Sequence, residues 1–149
     1  MKLEEEISQK KFRGEEHKLG VNIIYTHNWL DQYHAAFFKR HGLTAQQFNI
    51  LRILRGQHPH HASIKLIRER MLDKMSDASR IVEKLRMKRL VTRDISKHDR
   101  RHCEVFITEK GLKLLSVIDK KTNEFDTIFS ALSKKEMKVL NGLLDKLRG

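Results

Sequence analysis

A chain of 149 residues with 39% apolar and 34% charged side chains is long enough for one domain with a real core, and too apolar for a disordered tail. Its formal net charge of +12 favours a polyanion or an anionic surface as partner. The single cysteine excludes an internal disulfide and suits a reducing cytoplasm, the opening MKLEEEISQKK has no signal-peptide pattern, and no apolar run is long enough to span a bilayer, so a soluble cytoplasmic protein without a membrane partner is expected.

In chain order, residues 17–40 carry apolar side chains at 19, 23, 30, 33 and 37, which is helical spacing, and Gly42 follows as a terminator. The more polar residues 3–16 extend this helix or fray. Thr44 to Gln47 reads TAQQ, a capping box, and Phe48, Leu51 and Leu54 mark the inner face of a helix ending near Gly56. QHPHHAS holds the only proline and reads as a loop. IKLIRERML (64–72) reads as a short helix followed by a break at DKM.

Ser76 is the expected N-cap of the next helix, in which Ala78, Ile81, Val82 and Leu85 share one face and Ser79, Arg80, Glu83, Lys84 and Met87 lie off it. A short helix, a tight break and a second helix form a helix-turn-helix pattern. VTRDI (91–95) and CEVFIT (103–108) are β-branched and flank seven polar residues, which predicts a two-stranded hairpin. Thr108 is placed to cap a helix that Leu115, Ile118, Phe125, Phe129 and Leu132 extend along one side for about six turns. Ser133 and Glu136 form another capping box, and Met137, Leu140, Leu144 and Leu147 then make a seam for helix pairing, with a partner chain or within the protomer.

The charge is not evenly spread. Residues 63–102 hold 13 Lys/Arg against 6 Asp/Glu. A helix-turn-helix places the N-terminal residues of its second helix at base edges in the major groove, here Ser76, Ser79 and Arg80, with Lys84 in reach of a phosphate. Arg80 suits the paired acceptors of a guanine, and the alternative is that Arg80 and Lys84 are a solvated helix face, with or without a pair to Glu83. The hairpin tip adds Lys97, His98, Arg100 and Arg101, a basic finger suited to a narrow minor groove. Asp99 faces phosphates there, and its expected role is to hold Arg101 in an aimed rotamer.

These segments resemble the MarR (multiple-antibiotic-resistance regulator) family of bacterial winged-helix transcription factors. DRRHCEVFITEKG matches the family's Asp-x-Arg wing tip and returning strand at Asp99, Arg101, Ile107, Thr108 and Gly111. SRIVEKLRMKRLVTRDI matches its recognition helix and next strand at Ser79, Arg80, Leu85, Leu90, Val91 and Arg93. The resemblance implies a mainly α (α+β) fold: a single domain over 1–149, with a winged helix-turn-helix lobe at 44–110 and helical dimerisation regions at 1–40 and 111–149. It implies a homodimeric, sequence-specific double-stranded DNA-binding regulator on a pseudo-palindromic operator, a repressor relieved by a small aromatic or anionic effector. The DNA-binding set is then Ser76, Ser79, Arg80, Lys84, Arg93, Lys97, Asp99, Arg100 and Arg101. His17, Trp29, Tyr33 and His34 are candidates for an effector pocket, with a core or interface role as the alternative for Trp29 and Tyr33. The other open reading is a basic winged-helix adaptor that binds RNA or an acidic protein.

One position departs from the family pattern. Arg89 stands where the family usually has Gly at the end of the recognition helix. Arg89 therefore either bears a left-handed backbone costing about 1 kcal/mol or marks a different turn. His98, Asp99, His102 and Cys103 lack a second ligand pair for structural zinc, and no cofactor or metal is expected. Cys103 reads as an inert, half-buried strand cysteine. No P-loop, dinucleotide turn or nucleophile elbow indicates an enzyme.

Overall fold

The computed structural model describes residues 2–95 and 103–149. The wing-tip positions Lys97, His98, Asp99, Arg100, Arg101 and His102 lie outside the described residues. One helical turn, α1 (Leu3–Glu6), folds back on the long helix α2 (Glu15–Lys39). Lys18 pairs with Glu4 at 2.6 Å, and the Tyr25 hydroxyl donates to Glu6 at 2.8 Å. Only Phe37 and Phe38 of α2 are buried, so most of the predicted stripe remains outside the core. Gly42 ends the helix as expected. It adopts φ +70, and the Leu43 amide donates back to the Phe38 carbonyl at 3.1 Å, a left-handed turn in which glycine avoids the Cβ penalty.

The Thr44–Gln47 capping box opens α3 (Ala45–Gln57). Its core face is Ile50, Leu51 and Leu54, while Phe48 is half-buried and stacks on Phe38 at 4.4 Å. Part of the predicted loop is a strand: β1 (Ala62–Ser63) pairs antiparallel with β3 (Cys103–Ile107), which pairs in turn with β2 (Val91–Ile95), giving the order β1-β3-β2. Ser63 then caps α4 (Ile64–Arg70) by accepting from the Leu66 amide. The second helix of the pair, α5 (Ala78–Met87), buries Ala78, Val82 and Leu85. These residues join Ile67, Met71, Val91, Val105, Leu115 and Ile118 in one core.

Ser76 is not the N-cap of α5. The cap is Asp77, whose carboxylate accepts from the Arg80 amide at 3.1 Å. The Ser76 hydroxyl instead donates to Asp73 at 2.7 Å. At the other end, Arg89 does bear the left-handed conformation, with φ +61. The Arg89 and Leu90 amides close the helix end on Arg86 and Leu85, and the Arg89 carbonyl accepts from the Thr108 hydroxyl at 2.9 Å.

The long C-terminal helix predicted from 109 to 132 is broken. Thr108 caps α6 (Glu109–Asp119) as expected, but the chain kinks at Lys121 (φ −110, ψ 8) into α7 (Thr122–Asp126) and a 3₁₀ turn (Thr127–Phe129). Tertiary contacts account for the break. Arg55 of α3 grips Asp119 at 2.5 Å, Arg40 at the C-terminal cap of α2 pairs with Glu124 at 2.8 Å, and the Tyr33 hydroxyl donates to the Glu124 carbonyl at 2.6 Å. Phe125 is thereby turned against Phe37, with ring centroids 4.3 Å apart. The Ser133–Glu136 capping box opens α8 (Lys134–Arg148), which buries none of its residues.

The Arg55–Asp119 pair gives a pH test. Hydrogen bonding to Arg55 holds the Asp119 carboxyl below its ordinary value of 3.8. The pair's stabilisation is therefore complete above that value and is lost as pH falls through the lower native one. Both side chains are partly exposed, so screening limits the effect to about 0.5 kcal/mol. Urea unfolding at neutral pH should show Asp119→Asn weaker than wild type by that amount, and the gap should close in acid. A gap of constant size would remove the electrostatic explanation.

Candidate nucleic-acid interface

The turn between α4 and α5 is built by three side chains that the sequence pattern does not single out. Asn49 of α3 accepts from the Leu72 amide at 2.9 Å, fixing the exit of α4. Asp73 accepts from the Met75 amide at 2.9 Å and from the Ser76 hydroxyl at 2.7 Å. The Ser76 bond and then the Met75 amide hold the Asp73 carboxyl below its usual range, so it is ionised at neutral pH and clamps the turn. Asp77 then caps the helix. The C-terminal end of α5 is tied down by Lys88, whose ammonium donates to the Gly42 carbonyl at 2.5 Å and to Gln47 Oε1 at 2.9 Å. The second helix is thus held at both ends while its outer face stays open.

That outer face carries exposed Arg80, Lys84 and Met87, with Ser79 and Glu83 half-buried. Glu83 pairs with Arg86 at 2.8 Å, not with Arg80 or Lys84. Among the described residues Arg80 and Lys84 make no ion pair. Arg86 chiefly, and Arg93 by its charge, hold the Glu83 carboxyl below its usual range. Arg93 is half-buried on β2, opposite Val105, and so adds its cation beside α5. The structure therefore groups Ser79, Arg80, Lys84 and Arg93 and places Ser76 at the head of the helix with its hydroxyl engaged. Lys97, Asp99, Arg100 and Arg101 lie outside the described residues, on the segment that joins β2 to β3.

The four effector-pocket candidates are not brought into one cavity. His34 lines a cavity of about 630 Å³ between α2, α3 and the turn, with His27, Asp31, Gln46, Asn49 and Asp73. Burial holds the His34 imidazole below its ordinary value. Trp29 instead lines a cavity of about 500 Å³ with Leu3, Glu6, Asn22, Tyr25 and Thr26. Tyr33 is bound to α7, and His17 accepts from the Arg13 amide at 3.3 Å near the ring of Phe12. Cys103 is half-buried. Among the described residues no three His, Cys, Asp or Glu side chains come together as a metal site, and no helix is long and apolar enough to cross a membrane.

The model of the MarR family matches residues 41–102, which run from the start of the α2–α3 turn through both helices of the pair to β3. The HTH-type transcriptional regulator MhqR of Bacillus subtilis is 27% identical over 133 residues, covering 87% of this chain and 89% of its own. Over residues 41–102 the chain is similar to the MarR family. The three-stranded sheet and paired helices are the winged-helix form of MarR-family regulators. A cysteine-to-serine variant of E. coli MarR, solved in complex with operator DNA, superposes with TM-score 0.80 at 19% identity, covering 93% of this chain and 99% of that one. Bordetella bronchiseptica BpsR, whose DNA binding is described as regulated by 6-hydroxynicotinic acid, superposes with TM-score 0.70 at 22% identity, covering 86% and 99%. At these identities the two structures establish the shared fold.

Proposed function

We propose that this chain is a MarR-type transcriptional regulator, a homodimeric repressor that reads a pseudo-palindromic duplex operator and is released by a small aromatic or anionic effector. The observation that carries the reading is the outer face of α5, where Arg80 and Lys84 stand exposed beside Arg93 on a helix anchored at both ends. Anchoring matters because a positioned guanidinium loses less freedom on contacting a base. The E. coli MarR complex supports duplex DNA as the partner. Residues 44–110 would act as the DNA-binding lobe, and 1–40 with 111–149 as the dimerisation region. Support for the dimer comes from the exposed apolar side chains Leu19, Ile24 and Trp29 on α2 and Val139, Leu140, Leu143 and Leu147 on α8, because contiguous exposed apolar surface marks an interface. For the effector, we favour the His34 cavity, which lies against the turn that positions α5. BpsR supports a small-molecule mode of control.

Selection of bound duplexes from a random pool tests the reading. It should return two half-sites about 10 bp apart. Arg80→Ala should weaken binding to that operator by about 10- to 100-fold and relax the preference at one guanine per half-site. Single-stranded RNA that displaces every duplex would replace the repressor reading with the adaptor one.

A further inference from the structure

Most of the large exposed apolar side chains have a place in the account above. Leu19, Ile24, Trp29, Val139, Leu140, Leu143 and Leu147 lie on the proposed dimer helices, and Leu72 rims the His34 cavity. Met75 has none. It is 93% exposed, it lines neither the His34 cavity nor the Trp29 cavity, and it immediately precedes Ser76 at the head of α5. Its backbone is nevertheless fixed: its amide donates to Asp73 at 2.9 Å, and the next residue donates its hydroxyl to the same carboxylate. A flexible apolar side chain is thus projected from a clamped backbone at the N-terminal end of the helix. That is the end a helix-turn-helix aims at base edges.

We infer that Met75 is a specificity-determining residue that packs its thioether side chain against the C5-methyl group of a thymine in each operator half-site. This inference rests on the duplex-DNA reading above. The chemistry selects the partner. The major-groove edges of guanine, cytosine and adenine present only hydrogen-bond donors and acceptors, and the thymine methyl is the one apolar group there. A thioether has no strong donor or acceptor with which to read the others. Met75 lies between Lys74 and, five residues on, Arg80, whose cations suit the phosphates and guanine on either side. The unbranched side chain adapts to the irregular floor of the groove. In water, Met75 gains nothing from this exposure, whereas in the groove it removes apolar surface from water on both partners.

The test uses the full-length protein and the operator recovered by selection. Each thymine is replaced singly by deoxyuridine, which removes the methyl group and nothing else. One thymine per half-site should be methyl-sensitive, with affinity falling about fourfold for one substitution and about fifteenfold for the symmetric pair. Met75→Ala should bind the thymine and deoxyuridine operators equally and keep the wild-type salt dependence, because no phosphate contact is lost. Being exposed, the substitution should leave the circular dichroism and urea midpoint unchanged. An operator with no methyl-sensitive position, or a Met75→Ala protein that still discriminates thymine from deoxyuridine, overturns the inference while the regulator reading stands. If no duplex is enriched, the regulator reading fails and Met75 falls with it.

Discussion

Alanine at Gly111 is expected to lower the stability of the protein by about 3 kcal/mol, a drop in Tm of roughly 9 °C for a chain of this size. A Cβ at this position would lie 2.5 Å from the Leu90 carbonyl oxygen and 2.8 Å from Ile107 Cγ1. Neither neighbour is free to retreat. The Leu90 carbonyl accepts from the Thr108 amide at 3.0 Å, and the Leu90 side chain is buried in the core. Ile107 is buried at the end of β3, in register with Val91. Alanine's better helix propensity, worth about 1 kcal/mol, offsets part of the clash but not most of it. Gly20 and Gly56 are internal controls, because a Cβ at either meets nothing within 4 Å. Alanine at these two helical sites should raise stability by up to about 1 kcal/mol. Calorimetry on the three variants checks the ordering, and a Gly111→Ala protein that melts with wild type would mean that the crossing of α6 over the α5–β2 junction is looser than described. The functional consequence follows from location. Leu90 is three residues beyond the end of α5, so a displaced α6 pushes on the segment that sets α5 against the hairpin.

The features that the sequence made legible are those set by local spacing. Thr44–Gln47 and Ser133–Glu136 are capping boxes because donor and acceptor lie three residues apart. Gly42, Thr108 and the hairpin strands follow from the same kind of short-range chemistry. The outer face of α5 was legible too, because three buried apolar positions at helical spacing leave Arg80 and Lys84 on the opposite side. The parts that were not legible depend on distant partners. The break at Lys121 depends on Arg55, Arg40 and Tyr33, from helices 60 or more residues earlier in the chain. Strand β1 is two residues long and exists only because Ala62 and Ser63 meet Val105 and Glu104. Ser76 and Asp77 are adjacent cap formers, and the choice between them was made by Asp73, which takes the serine hydroxyl and leaves the aspartate to cap. The same clamp projects Met75, so the side chain with the most specific inferred role was invisible to hydrophobic periodicity.

On the proposed dimer, aspartate at both Val139 and Leu143 is expected to convert the protein to monomers of 17.7 kDa and to weaken operator binding by at least about 100-fold. The two residues are 55% and 58% exposed in the single chain. With Leu132 and Leu140 they line an apolar groove of about 390 Å³. Of the predicted seam, Met137 and Leu144 are half-buried in the protomer while Leu140 and Leu147 are exposed, and Val139 and Leu143 add to the open apolar side of α8. In a two-fold dimer each substitution occurs twice, so four unpaired carboxylates would enter the interface, each costing several kcal/mol. The DNA effect exceeds the loss of any single contact. With one protomer bound, the second half-site is reached at an effective concentration set by the dimer, and separating the protomers forfeits that advantage, worth about 100- to 10,000-fold. The fold itself should survive, because Ile50, Leu51, Leu54, Leu85 and Leu115 form a core that does not include α8. Sedimentation equilibrium, circular dichroism and operator titration on one preparation separate these outcomes. A folded, monomeric protein with lost operator affinity is the expected result. A double variant that remains dimeric and binds the operator as wild type does would place the dimer interface away from α8.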